Sequence, residues 1–334
     1  MTSRATTIVV VARERFSGGI DTLRSVYDNT RSKFELFYID ANSPPPVREQ
    51  LRQEAKDKGF QLVCTNQYLS PNQARNIGVS KASGEYIVFL DNDVTVSPEW
   101  LEKLTSCADE TGATIVCPLY MEGEPHDEIV HMAGGTAHLR RSGNVNYCEI
   151  SHRFAKRRLK DVRAEIRREA TELMEFHCVL IRRSFFEEHG PLDERLMNMA
   201  DHDDVCLLAH SKGQAIFIEP EARVFYEFRQ PLTWLDLPYF FYRWSDHWTN
   251  LSVDRFAQKW DIAKDDPYLK VIRKWVVQHR WRVNLPQSLP EPITNKILSL
   301  LVRSVYVQSA NLSSHFNSVG KPESIQVETQ PAIS

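Results

Sequence analysis

The segment Tyr86–Leu90 is a run of aromatic, β-branched and aliphatic residues that passes straight into Asp91-Asn92-Asp93. Carboxylates at the end of an apolar strand are costly to bury unless they are paired or bind a cation. Side chains on extended backbone alternate between faces, so Asp91 and Asp93 share one face while Asn92 points to the other. Two hard oxygen ligands on one face suit Mg²⁺ or Mn²⁺. Such an ion takes one or two protein carboxylates and fills its remaining positions with water and phosphate oxygens. The pattern therefore predicts a phosphate-bearing ligand, with exposed turn residues as the bland alternative.

The elements that must position these acids alternate along the first third of the chain. Thr6–Val11 is a short apolar run of the kind found in a covered parallel strand, and Ile20, Leu23, Val26 and Tyr27 follow at helical spacing. Phe34–Asp40 reads as the second strand, and a proline-rich turn then leads into a helix with Val47, Leu51 and Ala55 on one face. Phe60–Cys64, Tyr86–Leu90 and Ala113–Cys117 read as further strands, separated by a helix over Asn72–Ser83 and a helix capped by Ser97 with Pro98 in its first position. This alternation predicts an α/β fold with right-handed crossovers and a mainly parallel sheet flanked by helices. Such sheets bind ligands at the carboxyl ends of their strands. Three polar clusters fall there: Arg13-Glu14-Arg15, Asp40-Ala41-Asn42-Ser43 and Asp91-Asn92-Asp93.

Composition narrows the class. The 334 residues are 42% hydrophobic and 25% charged, as in ordinary globular proteins, and a net charge of -3 offers no general attraction to nucleic acid. No apolar run approaches the roughly 18 to 20 residues needed to span a bilayer, and Met1–Thr7 lacks the apolar segment of a secretory leader, so a cytoplasmic protein is expected. The six cysteines form no C-x-x-C pair and are expected to be reduced core residues.

The run PNQARNIGVSKASGEYIVFLDNDVTVSPEWLEKL resembles the inverting nucleotide-sugar glycosyltransferases of family 2, which have the GT-A fold. The resemblance covers roughly Thr6–Tyr226. It implies transfer of a sugar from a nucleoside diphosphate donor, of UDP, GDP or dTDP type, to the hydroxyl of a sugar, polysaccharide or lipid-linked acceptor. It further implies that Asp93 binds the Mg²⁺ or Mn²⁺ ion and that Asp91 contacts the ribose or sugar, while the shared strand face makes Asp91 a second candidate ligand. Arg13, Glu14, Asp40, Arg75, Asp91 and Asn92 are then expected to face the donor, with Asp40 against the base and Arg75 beside the diphosphate. A surface ion pair is the alternative for Arg75, and a turn-forming aspartate for Asp40.

An inverting enzyme needs a base on the side of the sugar away from the diphosphate. The family places it in an acidic pair that opens a helix. Counting back from Gly213 puts Asp201 and His202 at that pair, and a shift of one residue offers Asp203. Asp201, His202 and Asp203 are therefore all candidates, unless these acids merely favour the helix N-terminus. The histidine at the expected base position leaves open a relative that binds nucleotide-sugar without turnover, and a retaining transferase on the same fold is the other alternative. A sugar nucleotidyltransferase would want a glycine-rich loop after the first strand, where only two late glycines stand. Glu227 occupies the region where relatives carry a metal-binding histidine, and serves either as a replacement ligand or as a loop acid.

The expected organisation is a glycosyltransferase domain over residues 1–228, with a donor half to about 120, a helical aromatic-rich extension over 229–316, and a flexible tail over 317–334. Ser151–Thr171 is strongly basic with Leu159, Val162 and Ile166 at helical spacing. It reads as an amphipathic helix, either a solvated face or a contact with a membrane surface or phosphorylated acceptor. The aromatic segment WLDLPYFFYRWSDHWTN reads as core under an added layer or as an acceptor platform.

Overall fold

The computed structural model describes residues 5–123, 126–226, 232–282 and 328–329. The chain up to residue 122 follows the alternation closely: β1 (Thr6–Val11), α1 (Gly19–Asn29), β2 (Phe34–Asp40), α2 (Pro45–Lys58), β3 (Gln61–Cys64), α3 (Pro71–Lys81), β4 (Tyr86–Asp91), β5 (Val94–Val96), α4 (Trp100–Thr111) and β6 (Ile115–Glu122). The remainder adds β7 (Ile129–Met132), β8 (Gly135–Ser142), β9 (Val145–His152), α5 (Leu159–Val162), β10 (Glu169–Thr171), β11 (Cys178–Arg182), α6 (Arg183–His189), α7 (Asp201–Ser211) and β12 (Ile216–Tyr226). Three helices, α8 (Leu237–Arg243), α9 (Asp246–Lys259) and α10 (Pro267–Arg282), follow, and β13 (Glu328–Thr329) pairs with β3.

The main sheet runs β10-β12-β6-β11-β4-β1-β2-β3-β13. The pairs β4-β1, β1-β2, β2-β3 and β12-β6 are parallel. Strand β11 lies antiparallel between β4 and β6 and reverses the direction at the centre of the sheet. Strands β1 and β4 are buried along their whole length, as two-sided cover by helices requires. Ser70 caps α3 with a full capping box, its hydroxyl accepting from the Gln73 N–H while the Gln73 side chain accepts from the Ser70 N–H. That cap fixes the helix carrying Arg75. Gly78 on the same helix faces Val9, where an added Cβ would stand 2.2 Å from a valine methyl, so glycine lets α3 close onto β1.

Two local expectations are corrected. Ser97 does not cap a helix: its hydroxyl accepts from the Arg223 N–H and its own N–H donates to the Arg223 carbonyl, stitching it to β12. Helix α4 starts later, at Trp100, after Glu99 in a left-handed conformation. The basic stretch after Ser151 is not one helix. It is a chain of turns with the single-turn α5, Phe154 and Lys156 at positive φ, and Leu159, Val162 and Ile166 buried. Several of its cations pair with acids of other elements, Arg168 with Glu219 and Glu110 at 2.5 Å each, Lys156 with Glu122 and Arg163 with Glu221, while Arg153 pairs with Glu169 of the stretch itself at 2.6 Å. The amphipathic helix behind the expected membrane contact is therefore not formed.

The aromatic segment is largely core. Tyr239, Phe240, Trp244 and Trp248 are buried, and Trp234 is exposed. The Tyr239 hydroxyl lies 3.3 Å from the Ala12 carbonyl and 3.2 Å from that of Leu69. Asp236 accepts from the Phe16 and Ser17 N–H groups and from the Ser17 and Thr233 hydroxyls, so α8 is tied directly to the loop after β1. All six cysteines are free, five of them buried. Among the described residues no helix is long and apolar enough to cross a membrane. Glu227, the part of the expected helical extension beyond residue 282 and, apart from β13, the expected tail from residue 317 lie outside the described residues.

Candidate active site

Strand β4 delivers Asp91 and Asp93 to the carboxyl edge of the sheet. Both are buried, and both carboxylate oxygens of Asp93 lack a hydrogen-bond partner. Burial, reinforced by the like charges of Glu14 and Asp91 and opposed by Arg13, pushes the Asp93 carboxyl from its ordinary 3.8 up to about 7. A buried carboxyl with two orphaned oxygens is what a missing cation would leave behind. Asp91, Asp93 and His177 each offer one ligand atom, and these atoms lie within 4.8 Å of one another. The donor set fits a hard divalent ion with one imidazole at its side.

Asp91 is also the hinge between two charge networks. Its Oδ1 lies 3.3 Å from Arg75 Nη2, and its Oδ2 lies 3.3 Å from His177 Nδ1 and 3.8 Å from Arg13 Nε. Arg75 is buried, stacks over the Phe176 ring at 3.8 Å, and donates through Nη1 to Asp201 at 2.7 Å. It joins the strand-end acids to the first turn of α7, which the sequence could only place at a distance. Its expected alternative, a surface ion pair, does not occur.

Arg13 stacks over the Tyr226 ring at 4.6 Å and donates to the Tyr226 hydroxyl. Glu14 accepts from Trp244 Nε1 at 3.0 Å and lies 2.7 Å from His279 Nε2. Burial alone would raise this carboxyl, but His279 and Arg13 hold it well below the usual carboxylate range. Glu14 therefore anchors the helical extension more than it faces a ligand. Arg15 is buried with Nε and Nη2 unpartnered, within electrostatic reach of Asp93.

Helix α7 opens after Ala200, which sits at a positive φ of 61°, and puts Asp201, Asp203 and Asp204 in its first turn. His202 lies between two carboxylates, with Nδ1 3.5 Å from Asp201 and Nε2 3.3 Å from Asp203. Burial works against its charge, yet Asp203 and Asp201 outweigh it and raise the imidazole to about 10. Asp203 is raised by burial, and its Oδ2 accepts from the Tyr268 hydroxyl at 2.6 Å. In Asp201 burial is outweighed by His202 and Arg75, and the carboxyl lies well below its ordinary value. Asp204 is turned away onto Lys259 and Trp260 of α9 and its cap.

Two expected donor residues are spent internally. Asp40 accepts from the Ser43 N–H at 2.8 Å and from Arg48 Nε at 2.7 Å, as a turn-forming aspartate would. Asn92 donates to the Arg15 carbonyl at 2.8 Å and lies 3.2 Å from the Tyr38 hydroxyl, so it locks the loop after β1. The residues brought together are Arg13, Arg75, Asp91, Asp93, Asp201, His202 and Asp203. Sequence reasoning missed His177 and Glu175. Their alternation just ahead of the apolar run Cys178–Ile181 repeats the strand-to-acid signal seen at Asp91, in reverse order along the chain.

The pattern of the family described as Glycosyl transferase family 2 matches residues 7–190. Polypeptide N-acetylgalactosaminyltransferase 11 of Xenopus tropicalis is 31% identical over 121 residues, covering 34% of this chain and 20% of that protein. The O-antigen biosynthesis protein RfbC of Myxococcus xanthus is 24% identical over 260 residues, covering 74% of this chain and 19% of its own length. The chain thus spans no more than about a fifth of either relative. The solved structure of GalNAc-T7 with UDP, GalNAc and Mn²⁺ superposes with a TM-score of 0.53 at 18% identity, over 84% of this chain and 55% of that one, which shows a shared GT-A fold. With more than half of its length under the family pattern, this chain belongs to glycosyl transferase family 2.

Proposed function

We propose that the protein is a glycosyltransferase that moves a sugar from a nucleoside diphosphate donor to an acceptor hydroxyl with inversion. The observation that carries the reading is the Asp93 carboxylate, buried with both oxygens unpartnered beside Asp91 and His177. Asp93, Asp91 and His177 would hold a divalent cation, which stabilises the negative charge that develops on the departing diphosphate. The relative solved with UDP, GalNAc and Mn²⁺ is consistent with a donor of that kind.

The chain's own residues supply the rest. Arg15, with unpartnered guanidinium nitrogens, is suited to paired hydrogen bonds with diphosphate oxygens. Arg75 positions Asp201 and Asp91 across the site. That engagement removes Asp201 from the role of base. Of the three base candidates, His202 is the most exposed, with 18% of its side chain accessible against 9% for Asp201 and 1% for Asp203. We assign proton acceptance from the acceptor hydroxyl to His202, with Asp203 behind it holding the ring. The imidazole must first give up its own proton, so turnover should rise with pH.

Calorimetry with UDP, GDP, dTDP and CDP, with and without Mn²⁺, tests the donor site on the wild type and on Asp93→Asn. The expected result is metal-dependent binding of one nucleotide that the substitution abolishes. Absence of binding for all four nucleotides both with and without Mn²⁺ would overturn the assignment.

A further inference from the structure

A second cluster stands beside this site and uses different elements. His131 lies on β7, His152 ends β9, and Glu175 lies on the extended segment that leads into β11. His131 Nε2 is 2.9 Å from Glu175 Oε2, and His152 Nε2 is 3.5 Å from Glu175 Oε1. One ligand atom from each residue can be chosen so that all three lie within 4.8 Å of one another. His131 Nε2 and Glu175 Oε2 are paired with one another, and neither atom has a further hydrogen-bond partner. A cation that displaces the proton from such a pair takes both atoms as ligands.

Glu175 is held for such a task. The Tyr120 hydroxyl accepts from the Glu175 N–H at 2.9 Å and lies 2.7 Å from the Glu175 carbonyl, clamping the backbone on either side of the carboxylate. His131 stands at an irregularity of the β6–β7 pairing between the paired Val130 and Met132, and His152 is paired with Gly135 of β8. A site carried on strands with a supported ligand is preorganised. His152 is exposed, so an ion can enter from solvent. The His177 ring stands between the two clusters, with Nδ1 3.3 Å from Asp91 and Nε2 3.6 Å from Glu175.

We propose that His131, His152 and Glu175 form a second divalent-cation site, distinct from that of Asp91 and Asp93 and selective for a different ion. Two imidazoles and one carboxylate suit Zn²⁺, which such a trio binds with a fourth position open to water or another oxygen ligand. Asp91 and Asp93 with the single imidazole of His177 form a more oxygen-rich set, which suits Mg²⁺ or Mn²⁺ instead.

The test is zinc stoichiometry on untagged, chelator-stripped full-length protein, by equilibrium dialysis and metal analysis, with Co²⁺ as a visible probe of coordination. One zinc per chain is expected in the wild type and in Asp93→Asn. His152→Ala, whose side chain is accessible, and the isosteric Glu175→Gln should each weaken zinc binding by at least about 100-fold while unfolding in chelator like the wild type. No bound zinc in the wild type would overturn the proposal. So would zinc retained in both cluster variants, which marks an unrelated surface ion, or zinc lost in Asp93→Asn and kept in His152→Ala, which places the ion at the donor site. Zinc content is read without turnover, so this result stands apart from whether sugar transfer or nucleotide binding is observed.

Discussion

Replacing Asp93 with asparagine should stabilise the metal-free protein. Burial raises this carboxyl from 3.8 to about 7, so the folded chain keeps its proton to a higher pH than the unfolded chain. Stability must then fall as pH climbs through that window, because the unfolded state ionises first. The cost is absent below about 4 and complete above about 7. At about 1.4 kcal/mol per tenfold step, the rise corresponds to about 4 kcal/mol of differential ionisation. Relaxation and water entry around the ionised group should reduce this to about 2 kcal/mol. An asparagine side chain in that place has nearly the same shape and no charge. Urea unfolding in chelator should therefore find Asp93→Asn about 2 kcal/mol more stable than the wild type at pH 8.5, with a gap that narrows toward pH 5. Mn²⁺ should reverse the order: at 100 times its dissociation constant it stabilises the binding protein by about 2.7 kcal/mol and leaves a non-binder unchanged. An asparagine variant less stable than the wild type in chelator at pH 8.5, or equal stabilisation of both by Mn²⁺, would refute the idea that Asp93 is an uncompensated charge waiting for a cation.

The other predictions concern the far side of the site. Because Asp203 and Asp201 raise His202 to about 10, kcat/KM for transfer should increase with pH through neutrality toward that value, and His202→Gln should flatten the profile; a wild-type profile already flat from pH 6 to 9 would point to another base. The same raised imidazole contributes stability that is complete below its ordinary 6.5 and lost as pH rises through about 10, so the destabilisation caused by His202→Gln should shrink at high pH. Arg75→Met leaves the buried carboxylates of Asp91 and Asp201 without their shared cation and should cost about 3 to 5 kcal/mol in urea unfolding. A loss under about 1 kcal/mol would mean that the bridge is not the link between β4 and α7.

The alternation of elements in the first third of the chain was legible because it is local. Thr6–Val11 and Phe34–Asp40 matched the strands β1 and β2, and the helix expected over Asn72–Ser83 appeared as α3 with its cap, Ser70, two residues before the expected start. The acidic strand end was legible for the same reason: apolar residues in succession followed by Asp91-Asn92-Asp93 need no partner to be noticed. Local patterns also misled. Ser97-Pro98 has the form of a helix start, but β12 claims the serine, and the spacing of Leu159, Val162 and Ile166 belongs to turns whose cations are drawn to distant acids.

By itself the sequence determined the elements of the donor half and the strand that brings two carboxylates to the sheet edge, since hydrophobic period and turn chemistry act between neighbours. What those carboxylates meet was decided by tertiary structure alone. The antiparallel insertion of β11 sets Cys178 opposite Leu90 and so brings His177 against Asp91. One side-chain bond spans 126 positions to join Arg75 of α3 to Asp201 of α7. Convergence of β7, β9 and the approach to β11 gathers His131, His152 and Glu175. Such contacts join residues whose separation along the chain carries no periodic signal, and a buried charge takes its partner and its ionisation from whatever the fold places beside it.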